Sequence, residues 1–195
     1  MIDAAMRYVV QDLNSYFYRK VTPKPERDTA VLSILANPQG EIAVTDESTL
    51  IVSVVSILEE KAAGTGNKRA RSASSSGGIT ERIESIDLNI FVMISAYFPP
   101  KLTDLALRYL SGVVLFFMEK PVFHHSNSPG LDPGVDRIGF EIYNLDFMQQ
   151  SNLWSAIGAK LMPSVLYKAR LQIAPDSQTL IDIPKITGTD TGLGM

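Results

Sequence analysis

The 195-residue chain contains no cysteine. That absence excludes disulfide staples, thiolate nucleophiles and zinc–thiolate sites, and it suits assembly in a reducing cytoplasm. Histidine is scarce as well, with only His124 and His125. Long apolar runs are missing: the longest, residues 113–118, falls far short of the roughly 18–20 residues that a membrane-spanning helix needs. The start of the chain, Met1-Ile2-Asp3-Ala4, lacks the basic region and apolar core of a secretory signal. Charge of one sign is lacking too. The 18 basic and 21 acidic residues leave −3, which gives no global pull toward nucleic acid or an anionic membrane.

What is present is ordinary globular material, 45% hydrophobic and 20% charged, enough for one self-sufficient core. Residues 3–19 predict an amphipathic helix, with Met6, Val9, Val10, Leu13 and Phe17 at three- and four-residue steps and Asp3 as N-cap. The Thr22-Pro23-Lys24-Pro25 segment ends it, and a short strand is expected over 30–36. Residues 50–58 are β-branched and apolar on both faces, the pattern of an interior strand covered on both sides. Residues 61–83 change abruptly to Gly, Ser and basic residues, and predict a flexible loop or hairpin tip. Residues 85–97 alternate, with Ile90, Val92 and Ile94 on one face and Asn89, Phe91 and Met93 on the other.

Pro99-Pro100 opens a second predicted helix over 101–118. Its end, from Val113 to Met118, is apolar all round, so it requires cover on every side. That cover is either the following loop or a neighbouring subunit. After a Pro/Gly/His-rich loop, a strand is expected from Arg137 to Tyr143. A third helix is expected from a cap at Asp146 or Ser151 to about Leu161, and a half-wet strand over 165–173. The tail from Ala174 on predicts loose order unless a partner holds it. The economical arrangement is α+β, an antiparallel or mixed sheet of about five strands with about three packed helices. Residues 1–175 make a single domain and 176–195 a tail.

No catalytic constellation stands out. His124 and His125, with Asp132 and Asp136 nearby, are a workable ligand set, but neighbouring strand residues diverge and no HExxH spacing is present. The pair Glu59-Glu60 is consecutive, so its carboxylates project oppositely, and a structural or interface role fits it better than shared acid–base work. Gly64-Thr65-Gly66-Asn67-Lys68 does not meet the phosphate-loop spacing, and no GxSxG elbow occurs. Lys68, Arg69 and Arg71 form a basic knot that suits a solvated loop. No enzyme activity, metal, cofactor, small-molecule substrate, membrane or nucleic-acid partner is expected.

Three segments carry a family resemblance: Ile51-Val52-Ser53-Val54-Val55-Ser56-Ile57-Leu58-Glu59-Glu60; Tyr109-Leu110-Ser111 with Phe116-Phe117-Met118-Glu119-Lys120-Pro121-Val122-Phe123; and the run from Leu153-Trp154-Ser155 through Pro163-Ser164 to Tyr167-Lys168-Ala169-Arg170. Together they resemble the amino-terminal domain of cap proteins of extracellular contractile injection systems, relatives of phage tail terminators. The resemblance covers about residues 1–175. Ala159 stands where the family often has glycine, Met118 where it has glutamine, and the Gly/Ser loop at 64–78 is particular to this chain.

The resemblance implies a tail-terminator-like fold and a structural role: a ring of six copies on the last layer of an inner tube, engaging the end of the sheath. The particle would be assembled in the cytoplasm, then released or retained. Candidate interface or core anchors are Glu59, Glu60, Val114, Phe116, Phe117, Trp154, Tyr167 and Arg170. Val114, Phe116, Phe117 and Trp154 would build the core beneath the ring contact. Ile181, Ile183 and Ile186 of the tail would add a strand to a partner's sheet. The alternatives are a tail-completion, adaptor or baseplate component of a phage-like particle, and a metal-dependent hydrolase built on His124 and His125.

Overall fold

Helical periodicity at the start of the chain and strict alternation further on produce the elements expected of them. The computed structural model describes residues 1–37, 39–60, 69–73, 79–83, 86–173 and 180–183. In chain order these form α1 (Ile2–Lys20), β1 (Ala30–Leu32), β2 (Thr49–Glu59), β3 (Arg69–Ala73), β4 (Ile79–Ile83) and β5 (Ile86–Tyr97). A 3₁₀ turn, Pro100–Leu102, leads into α2 (Thr103–Glu119), followed by β6 (Val122–His124), β7 (Val135–Ile142), α3 (Phe147–Ile157), β8 (Ser164–Ile173) and β9 (Leu180–Ile183). Asp3, expected as the cap of α1, lies inside its first turn, with Met1 in the cap position. There its carboxylate complements the positive end of the helix dipole.

The main sheet has six strands in the order β1-β2-β5-β8-β7-β6. Only the β1–β2 pair is parallel; β2–β5, β5–β8, β8–β7 and β7–β6 are antiparallel. The expected count of about five rises to six because β6, three residues long, is too short to show alternation, while β1 fills only the start of the strand expected over 30–36. Short edge strands also leave little unpaired backbone for another chain to extend. A second, three-stranded sheet, β3-β4-β9, is formed from the segment read as a loop and from the tail.

The sheet divides the apolar side chains into two clusters. Leu50 and Val52 of β2, Ile90, Val92 and Ile94 of β5, and Tyr167 and Leu171 of β8 face α1 and α2. Ile51 and Met93 face the other way, toward Trp154 of α3 and Leu35. Burying a residue of this size contributes about 1.5–3 kcal/mol. Helix α1 sits close against α2 because position 112 is glycine: a Cβ there would meet Phe17 Cε1 at 3.0 Å.

The reading of β2 as covered on both faces holds for its first half only. Residues 49–53 are buried, whereas Ile57, Leu58 and Glu59 are exposed. A bulge between Val54 and Ser56 shifts the register, and among the described residues no packed layer covers the strand beyond it. Apolar composition alone does not distinguish the covered half from the bare one.

Candidate interface surfaces

Helix α2 presents apolar side chains on both sides. Ala106, Tyr109, Leu110, Val113, Phe116 and Phe117 are buried. Phe117 stacks at 4.5 Å on Tyr167 and at 4.4 Å on Phe140. The opposite side carries Leu107, Leu115 and Met118, which are 49%, 45% and 68% exposed, with Val114 half-buried beside them. At 100° per residue these four fall within an arc of about 100°. The outward face of α1, by contrast, is Asp3, Arg7, Gln11 and Ser15. Among the described residues, the cover expected around the end of α2 is therefore present on one side only.

A second apolar surface lies at the start of α3. Asp146 caps this helix: its Oδ1 accepts from the Gln149 amide at 2.7 Å, and Gln149 Oε1 accepts from the Asp146 amide at 3.1 Å. Gly158, with φ at 75°, terminates it. Such a reciprocal box fixes the first turn, and it holds Phe147 and Met148 out to solvent, 92% and 75% exposed. Behind them a groove of about 190 Å³ is lined by Met93, Tyr143, Leu153, Trp154 and Leu166 among others. Met148, Ser151, Asn152, Ser155 and Ala156 form the outward side of α3, all of them exposed.

Trp154 and the aromatic end of α2 do not share a core, contrary to the expectation that they jointly underlie one contact. Trp154 is buried with Leu35, Ile51 and Met93 on the far face of the sheet from Phe116 and Phe117. Sequence spacing places each on its own helix but carries no information about which face that helix covers.

The polar candidates lie on the sheet face that carries Met93. Arg170 Nη2 donates to Glu141 Oε1 at 3.2 Å, and Lys168 Nζ is 3.5 Å from Glu60 Oε2. The Asn89 side-chain amide, helped by the Lys168 and Arg170 charges, holds the Glu60 carboxyl below its ordinary range. Glu59 is exposed. Tyr167 belongs to the interior on the opposite face, and burial alone pushes its phenol up to about 12.

In the tail, Ile181 pairs with Glu81 and Ile183 with Ile79 across an antiparallel ladder. This strand thus completes a sheet within its own chain, a different arrangement from the strand added to a partner. Ile186, Lys68 and most of the Gly/Ser segment 64–78 lie outside the described residues.

His124 Nδ1 is 2.7 Å from Ser126 Oγ, and His125 is exposed in the turn that follows. Asp132 accepts from the Gly134 amide at 2.9 Å. Among the described residues no group of three or more His, Asp or Glu side chains is placed to hold a metal. Among them, too, no helix is long and apolar enough to cross a membrane.

Two further side chains carry no signal in the sequence pattern. Asn14, buried in α1, accepts from the amides of Thr29 and Ala30 at 3.0 and 2.8 Å and donates to Ala30 O at 2.8 Å, which ties α1 to the start of β1. Phe147 was foreshadowed only by its place directly after a capping aspartate, where a helix has little of its own structure to bury an aromatic ring.

Residues 8–187 match the family model described as the Pvc16 N-terminal domain. No curated protein sequence matches the chain. Among solved structures, the chain is similar over 100% of its length to a sheath/tube terminator of an extracellular contractile injection system, PVC, in its extended state, with 11% identity and a TM-score of 0.60. It is also similar over 93% of its length to the tube-terminating cap of the anti-feeding prophage, with 11% identity and a TM-score of 0.48. The chain spans 64% of the first of these proteins and 59% of the second.

Proposed function

We propose a structural role for this chain, which belongs to the Pvc16 N-terminal domain family: it terminates the tube and sheath of a contractile injection system. Copies of the chain form a closed ring, six in number, on the last layer of the inner tube and meet the end of the sheath. The ring matches the tube below and offers no copy of that surface above, so growth stops there. A head-to-tail interface that closes into a ring ends polymerisation, whereas one that does not close propagates a filament. Assembly takes place in the cytoplasm, and the chain needs no small molecule, metal or nucleic acid for its part.

The observation that carries this reading is the family match over residues 8–187. It is supported at the level of the fold by the whole-chain likeness to a sheath/tube terminator. The exposed apolar side of α2 and the exposed apolar start of α3 add physical support, since a chain that works alone gains nothing by holding Met118 and Phe147 in water.

The test is particle length. Injection particles from cells producing every component except this chain are measured by electron microscopy beside complete ones. A broad length distribution, narrowed again when the chain is resupplied, is the expected result. Uniform particles in its absence would sink the terminator reading.

A further inference from the structure

The two exposed apolar surfaces lie on opposite faces of the main sheet, α2 on one and α3 on the other. They also differ in shape. On α2 the bulky Leu107, Leu115 and Met118 form a ridge. On α3 the small Ser151, Ser155 and Ala156, with Asn152 among them, form a shallow polar surface, with Phe147 and Met148 projecting at one end and the exposed Leu161 just beyond the other. We infer that the outward ridge of α2 packs into the outward face of α3 on the next copy of this chain, with the two helices running parallel. This rests on the ring reading above and names the surfaces that close it.

Three observations favour a second copy as the occupant. A two-fold dimer needs one self-complementary patch, whereas two unlike patches on opposite sides are what a cyclic, heterologous contact consumes. The large apolar side chains of the two patches together expose roughly 750 Å², the apolar centre of an interface whose remaining area would come from the small and polar side chains around them.

The third observation is charge. Exposed Lys101 and Arg108, against the single Asp104, make the N-terminal part of α2 positive, and Glu119 makes its end negative. Around α3 the order is reversed: Asp146 precedes Phe147, and Lys160 follows Gly158. A parallel alignment sets Asp146 near Lys101 and Arg108, and Lys160 near Glu119. The antiparallel one sets Asp146 against Glu119, like against like. Charge complementarity selects orientation more strongly than it adds affinity.

The absence of cysteine makes the contact directly testable in the full chain. Leu107→Cys and Met148→Cys are prepared separately, both at exposed positions, and treated with a short bifunctional thiol reagent. The mixed pair should yield a species of twice 21.4 kDa in at least tenfold excess over either variant alone. The double variant should give a ladder of multiples that ends in a closed ring. Lys160→Glu on the Met148→Cys chain should lower the mixed yield severalfold, and Glu119→Lys on the Leu107→Cys chain should restore it.

Equal linking by either variant alone overturns the head-to-tail contact. Preferential linking of Leu107→Cys to Leu161→Cys overturns the parallel alignment, and so does failure of the charge swap to restore the yield. Tube ends capped by the wild-type chain with no mixed species formed would overturn the docking and leave the terminator reading standing. Linking as expected, with wild-type chain that never binds a tube end, would do the reverse.

Discussion

The ring of Tyr167 on β8 packs 4.5 Å from the ring of Phe117 on α2, and its hydroxyl is buried with no hydrogen-bond partner among the described residues. One contact thus joins the end of the second helix to the centre of the sheet and strands a polar atom in the process. A phenol held this way is favoured in its neutral form, which agrees with its elevation to about 12 from an ordinary value of 10.

Removing that hydroxyl should cost little. Tyr167→Phe is expected to leave stability unchanged or to raise it by up to about 1 kcal/mol, because the buried oxygen forms no bond that the substitution would break. The pH dependence has a definite sign. The folded value lies above the unfolded one, so the contribution is fully present below pH 10 and is lost as pH rises through about 12. The melting temperature of the wild type should therefore fall relative to Tyr167→Phe between these limits. A constant difference across that window would refute the buried phenol.

Trp154 anchors the smaller cluster with Leu35, Ile51 and Met93. Trp154→Ala should destabilise the chain by about 3–5 kcal/mol, measured by urea denaturation followed by circular dichroism. Because Trp154 and Phe117 share no cluster, the cost of Trp154→Ala should add to that of Phe117→Leu within about 0.5 kcal/mol. A larger coupling energy would mean that the sheet does not separate the two cores.

Asn14→Ala removes two acceptor bonds and one donor bond made to the backbone of Thr29 and Ala30. Buried amides left without a partner cost about 1–3 kcal/mol each, so a loss of about 3 kcal/mol is expected. Hydrogen exchange should localise it, with faster exchange at the Thr29 and Ala30 amides. Protection unchanged at those two amides would show that Asn14 does not hold them.

Gly112→Ala should destabilise by about 1–2 kcal/mol even though alanine is the better helix former. The added carbon would lie 3.0 Å from Phe17 Cε1. Phe17 is fully buried, and its ring packs 5.2 Å from that of Tyr109, so it has no free space to yield into. A rise in melting temperature would mean that the two helices can separate at small cost.

Elements with an internal period were legible along the chain. The stripes of α1 and α2, the alternation of β5 and β8 and the Asp146 cap of α3 each repeat or signal within a few residues. The three-residue strand β6 carries no period, and β1 fills only the start of the segment expected as a strand. The strands β3, β4 and β9 were hidden in segments whose composition reads as loop and tail, and their pairing depends on backbone partners far away in sequence. Of the interface candidates, the chain alone marked the end of α2 as too apolar to be free. It did not mark Leu107, Phe147 or Met148.

By itself the sequence determined three helices and an α+β sheet protein without thiol chemistry, because these follow from local periodicity and composition, while the family showed only as a resemblance in three segments. Only the tertiary structure decided which apolar side chains are interior and which are surface. Phe117 and Met118 are adjacent in the chain, yet one packs against Tyr167 and the other faces solvent. Exposure depends on sheet order and on which face each helix covers, and both are settled by contacts between residues distant in sequence.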